Sequence, residues 1–211
     1  MVKQFRRLAI TALSVLAAAA LAAPAAQAAN FTTSSFPATL TAESSTGGIR
    51  WKTEAGTFEC KTHMKATLSS SSTILTVNAT YTECGAFGLP GSATVQTNGC
   101  EYVWHANAGS GDSYTGSTHI SCPSGKVMHF TASGCGFEIS TQLGRASLDF
   151  DNYTAGGALE VQATVGGIDY TVTTDDFGCP FAGKGAKTGG TYTQAVPVLM
   201  EATGGQDFHV G

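Results

Sequence analysis

Phe58-Glu59-Cys60-Lys61-Thr62-His63-Met64-Lys65-Ala66-Thr67-Leu68 carries the pattern that decides the fold. Phe58, Cys60, Met64, Ala66 and Leu68 fall on even positions, with Glu59, Lys61, His63 and Lys65 between them. A period of two puts the apolar set on one face of a strand and the charged set on the other. Ser69 to Ser72 then makes a turn, after which Leu75, Val77, Ala79 and Tyr81 alternate with Thr76, Asn78, Thr80 and Thr82. Pairing Leu68 with Leu75 and Met64 with Ala79 folds the two runs into a hairpin. That register sets Cys60 opposite Glu83, so a bridge from Cys60 to Cys84 requires a bulge near Cys84-Gly85.

The same alternation recurs in Cys100/Tyr102/Trp104, Cys135/Phe137/Ile139, Leu159/Val161/Ala163/Val165 and Ile168/Tyr170/Val172. Val165-Gly166-Gly167-Ile168 reads as a hairpin with a primed two-residue turn. Cys122-Pro123-Ser124-Gly125-Lys126 reads as a short turn between two further strands. Pro197 marks Ala195 to Met200 as an edge strand. Residues 182–190, with their glycines and two lysines, read as a mobile loop, and the chain from Thr203 as frayed.

Beyond residue 28, Gly, Ser and Thr make up 71 of 183 residues, and only 12% of the whole chain is charged. No stretch there has the Glu, Lys, Arg, Ala and Leu surface that helices need. Strands at spacings of about ten residues, joined by Gly-rich turns, predict one all-β domain over residues 29–211. The expected form is an antiparallel β-sandwich or barrel-like sandwich stapled by disulfides.

Residues 1–28 read as a secretory signal peptide: Lys3, Arg6 and Arg7 precede an apolar run from Leu8 to about Ala23, and Ala26-Gln27-Ala28 is a small-x-small cleavage site. The expected product starts at Ala29, is extracellular or associated with the cell envelope, and has no membrane association once the signal is cleaved. Eight basic side chains then face 15 acidic ones, which argues against nucleic acid as a partner.

The six cysteines form no C-x-x-C pair. An even number in an exported chain reads as three disulfides, for which 15 pairings exist. The expected set is Cys100 with Cys122, Cys135 with Cys179, and Cys60 with Cys84. The first is the best supported, because positions summing to 222 form a hairpin with Tyr102 opposite Ile120 and Trp104 opposite Thr118.

Several blocks resemble a family of uncharacterised secreted actinobacterial proteins, small Thr- and Gly-rich chains with spaced cysteines. They are Phe36-Pro37-Ala38-Thr39-Leu40, Tyr81-Thr82-Glu83-Cys84-Gly85-Ala86-Phe87-Gly88, Asn98-Gly99-Cys100-Glu101-Tyr102-Val103-Trp104, Cys122-Pro123-Ser124-Gly125-Lys126 and Phe177-Gly178-Cys179-Pro180. The resemblance implies bacterial export and an all-β fold. It assigns no active-site residue.

No catalytic or cofactor-binding residue follows from the motifs. Gly111-Asp112-Ser113-Tyr114 and Asp207-Phe208-His209 echo one esterase family, but the partner spacing and the helix-free pattern do not fit it, and a polar hairpin loop explains the first block. Asp149 and Asp151 share a strand face and read as a solvated pair, an acid–base pair or a calcium site. A turn pairing Cys122 with Lys126 would set His119 opposite His129, with His105 diagonal to His119, so the three imidazoles read either as surface side chains or as metal ligands. Trp51 is a candidate ligand contact, because exposed aromatic rings stack on sugars. The expected function is a non-enzymatic secreted binding or cell-envelope module, with a glycan or an envelope protein as partner. The alternative is a small secreted hydrolase acting on an extracellular polymer.

Overall fold

The computed structural model describes residues 29–44, 48–153 and 157–211. Residues 1–28, read above as a signal peptide, lie outside the described residues. No helix forms among them, and the strands are β1 (Phe31–Thr33), β2 (Ala38–Glu43), β3 (Ile49–Thr53), β4 (Gly56–Leu68) and β5 (Ile74–Ala86). They continue with β6 (Ala93–Gln96), β7 (Glu101–Ser110), β8 (Ser113–Ser121), β9 (Met128–Ala132) and β10 (Cys135–Ile139). The last five are β11 (Gln142–Tyr153), β12 (Ala158–Asp175), β13 (Gly185–Gln194), β14 (Val198–Ala202) and β15 (Phe208–Val210).

All pairings between these strands are antiparallel. One set closes on itself in the order β11-β8-β7-β5-β4-β2-β14-β12 and back to β11. The chain thus forms the expected barrel-like sandwich, and eight strands lose their free edges through closure. Beyond this ring, the far end of β12 pairs with β13 and β10, and the near end of β4 pairs with β3. β10, β9 and β6 extend the sheet from there.

The β4–β5 hairpin has the expected register, with Met64 opposite Ala79 and Ala66 opposite Val77. The register shifts between Glu59 and Lys61: Lys61 faces Thr82, whereas Glu59 faces Gly85. One extra residue therefore enters β5 at this point, and Glu83 there adopts φ 51°. The bulge brings Cys84 to Cys60, and the disulfides are Cys60–Cys84, Cys100–Cys122 and Cys135–Cys179. The β7–β8 register is also as expected, with Tyr102 opposite Ile120 and Trp104 opposite Thr118.

Four local expectations are corrected. Gly166-Gly167 is not a hairpin turn but a bulge inside the 18-residue strand β12. A two-residue turn and a bulge both move the apolar residues from odd to even positions, so parity cannot separate them. Pro197 precedes β14, which is paired on both sides by β12 and β2 and is no edge. Most of residues 182–190 belongs to β13, between β12 and β3. The C-terminal residues form β15 against β1, with Phe208 and Val210 fully buried.

Side-chain amides complete the ladder where β12 changes partners. Gln142 donates to the Asp169 carbonyl and accepts from its N–H at 3.1 Å. Gln194 accepts from the Ala163 N–H at 2.8 Å. Asn152 donates to the Val210 carbonyl at 2.7 Å and accepts from its N–H at 2.8 Å, which ties down β15. Each pairing removes the cost of a buried, unpaired backbone group.

Two aromatic clusters fill the ends of the body. At one end the Phe130 and Phe137 rings stack with centres 4.4 Å apart, and Phe58 meets Phe137 edge-on at 5.1 Å. At the other, Phe31 meets Phe150 edge-on at 5.3 Å. Gly116 makes room for Phe150, since a Cβ there would clash with that ring and lie 2.5 Å from the His105 carbonyl oxygen. Phe137→Ala is expected to lower stability by about 3–5 kcal/mol through the cavity it leaves. Gly116→Ala is expected to cost about 1–3 kcal/mol through overpacking. Urea unfolding of both variants with disulfides intact measures these losses.

Candidate functional site

Between the two aromatic clusters lies a small cavity of about 30 Å³ bordered by Trp51, Tyr102, Trp104, Tyr192 and Gln194. The Trp51 Nε1 and Gln194 Nε2 atoms are buried there, with the hydroxyls of Tyr81 and Tyr192 as their polar neighbours. Trp51 is therefore not the expected surface ligand contact. It is 2% exposed, with Phe130 and Tyr192 edge-on to its ring at 5.1 and 4.7 Å. Its position follows from β3, where Ile49, Trp51 and Thr53 point inward.

The hydroxyls of Tyr81 and Tyr102 share a hydrogen bond beside this cavity, and Tyr102 also meets the Met128 sulfur at 3.9 Å. Burial pushes the phenols of Tyr81, Tyr102 and Tyr192 well above the usual tyrosine range, and repulsion from neighbouring phenols adds to it. The folded chain holds these protons more tightly than the unfolded chain. The resulting stability is complete below about pH 10 and declines above it as the unfolded state ionises first. Ultraviolet titration is expected to show these three tyrosines ionising only with alkaline unfolding.

On the outer face, His105 and His119 sit diagonally across β7 and β8 as expected, with ring centres 5.1 Å apart. Partial burial and the neighbouring His105 lower the His119 pKa below the ordinary imidazole value. His129 does not join them. β8 pairs with β7 and β11, whereas β9 pairs with β10 and β6, so the expected β8–β9 hairpin is not formed. His129 instead faces Glu138, with Nδ1 3.2 Å from the carboxylate. The expected adjacency of His119 and His129 is thereby corrected, the candidate set His105, His119 and His129 does not come together, and among the described residues no group of three or more His, Cys, Asp or Glu side chains is placed to hold a metal.

Asp149 and Asp151 do share the outer face of β11. Two rows cross three strands there: Ser113, Asp151 and Glu160, and beside it Thr115, Asp149 and Gln162. Together with Tyr114 and Pro197 they line an open groove of about 520 Å³. Ser113 Oγ donates to Asp151 Oδ1, so this serine is a hydrogen-bond partner in the groove wall. Gly111-Asp112 is the tight β7–β8 turn, with Gly111 at φ 64°.

A second groove, about 610 Å³, crosses β2, β4, β5 and β14 and contains Glu43, His63, Lys65, Thr80 and Glu201. Lys61 donates to Glu43 at 2.7 Å and holds that carboxyl below its usual range, while His63 lies 3.6 Å away. Glu160, Gln162 and Glu201 were not legible as site residues. Their places beside Asp149, Asp151 and Thr41 depend on pairings of β12 and β14 that local alternation does not encode. Phe177, fully exposed two residues before Cys179, was also missed.

No protein-family model, curated protein or solved structure matches the chain.

Proposed function

We propose that the chain is an exported, non-catalytic binding module that takes a glycan in the groove across β8, β11 and β12. The observation that carries this reading is the double row of hydrogen-bonding side chains across the three strands. Asp149, Asp151 and Glu160 offer acceptors to sugar hydroxyls, and Gln162 and the two hydroxyl residues add further polar groups. Sugar hydroxyls would also relieve the crowding of like charges on adjacent strands. The acidic balance of the chain disfavours a phosphate backbone as partner.

Three disulfides are consistent with an oxidising compartment. The tripartite N-terminal sequence and the resemblance to secreted actinobacterial chains support export, with Ala29 as the first residue of the product. N-terminal sequencing of protein from the culture medium is expected to begin at Ala29. Intact chain retained in the membrane fraction would count against cleavage.

Glycan-array screening followed by calorimetry with the retained sugar tests the binding reading. Asp149→Asn and Asp151→Asn are each expected to weaken binding about tenfold, the loss of one charge-assisted hydrogen bond, with little change in unfolding midpoint. Retention of no glycan, or affinity indifferent to both substitutions, would remove the proposal. Release of reducing ends from a bound polysaccharide would assign the groove to the alternative, a secreted hydrolase.

A further inference from the structure

The β7–β8 hairpin holds two imidazoles at a separation with chemical meaning. Its register runs from Glu101 opposite Ser121 to Ala106 opposite Gly116, and the Cys100–Cys122 disulfide closes its open end. The backbone positions of His105 and His119 are therefore set by a braced hairpin. Both residues lie on the outer face and are partly exposed. Their ring centres are 5.1 Å apart and the planes are inclined by 33°.

An ion bound at 2.0–2.1 Å to one nitrogen of each imidazole lies about 3.2 Å from each ring centre, so a tetrahedral angle at the ion separates the centres by about 5 Å. The observed separation matches this value. The inclination is no obstacle, because each ring can turn about its own metal–nitrogen bond. Directly across from His105 stand Ser117 on β8 and Ile74 on β5, and across from His119 on β7 stands Val103.

We propose that His105 and His119 form a two-imidazole chelate for a borderline divalent cation, Zn²⁺, on the outer face of the β7–β8 hairpin. Imidazole nitrogen selects such an ion over Mg²⁺ or Ca²⁺, which take oxygen ligands. Two protein ligands leave the other positions to water or to an oxygen of an external molecule. Such a site is open and exchangeable, unlike a four-ligand structural zinc.

The test is calorimetric titration of tag-free protein with Zn²⁺, with the imidazole resonances followed by NMR. One Zn²⁺ per chain is expected at this site, shifting the resonances of His105 and His119 together. His105→Gln and His119→Gln are each expected to weaken binding about tenfold or more, because the second imidazole acts at high effective concentration. His129→Gln is expected to leave the affinity unchanged. Unfolding midpoints of all three variants, measured without metal, separate loss of a ligand from loss of fold. Absence of Zn²⁺ binding, retention of full affinity in both single variants, or an equal loss in His129→Gln overturns the proposal.

Discussion

A regular strand has two edges and so two neighbours. β12 has four along its 18 residues: the bulge at Gly166-Gly167 separates a first segment paired with β11 and β14 from a second paired with β10, and β13 pairs on both sides of the bulge. One edge passes from β14 to β13, the other from β11 to β10. The first segment closes the eight-stranded ring, and the second carries the sheet onward. The bulge reverses which parity faces inward, so Leu159, Val161 and Ala163 before it and Ile168, Tyr170 and Val172 after it are all buried. Gly167 adopts φ 67°, a conformation open to glycine at little steric cost.

Such a change of partners leaves backbone groups that no neighbouring strand can reach. Gln142 and Gln194 supply their amides there, at Asp169 and Ala163, on either side of the bulge. The same region is the waist of the molecule, where the inner faces turn from phenylalanine to Trp51, Tyr102, Tyr192 and Gln194. Polar side chains thus concentrate where the ladder is interrupted. The apolar clusters above and below it supply most of the burial, at roughly 1.5–3 kcal/mol for each fully buried Phe.

Closure of the ring also arranges the outer surface. Side chains distant in sequence become neighbours along rows that cross the strands. Ser113, Asp151 and Glu160 form one such row, and Glu43, His63 and Thr80 another. The acidic groove and the imidazole pair both have β8 as a wall, yet they draw on different partners, β11 and β12 for the groove and β7 for the pair. Binding at one is therefore separable by substitution from binding at the other.

Alternation by itself determined the all-β class, the inward faces of most strands and the registers of the β4–β5 and β7–β8 hairpins. These are local: a period of two and a short turn specify a hairpin without reference to the rest of the chain. The β7–β8 register brought Cys100 to Cys122 and placed His105 beside His119, whereas Cys60 reaches Cys84 only through the bulge that interrupts the β4–β5 register. Tertiary structure decided what parity leaves open. It made Gly166-Gly167 a bulge, took β9 away from β8 and His129 with it, buried Trp51, and set Glu160 and Gln162 beside Asp151 and Asp149. The physical reason is that a strand edge pairs with any strand whose apolar face fits the common core. Local sequence sets which face is apolar, and only packing of the whole chain selects the neighbour.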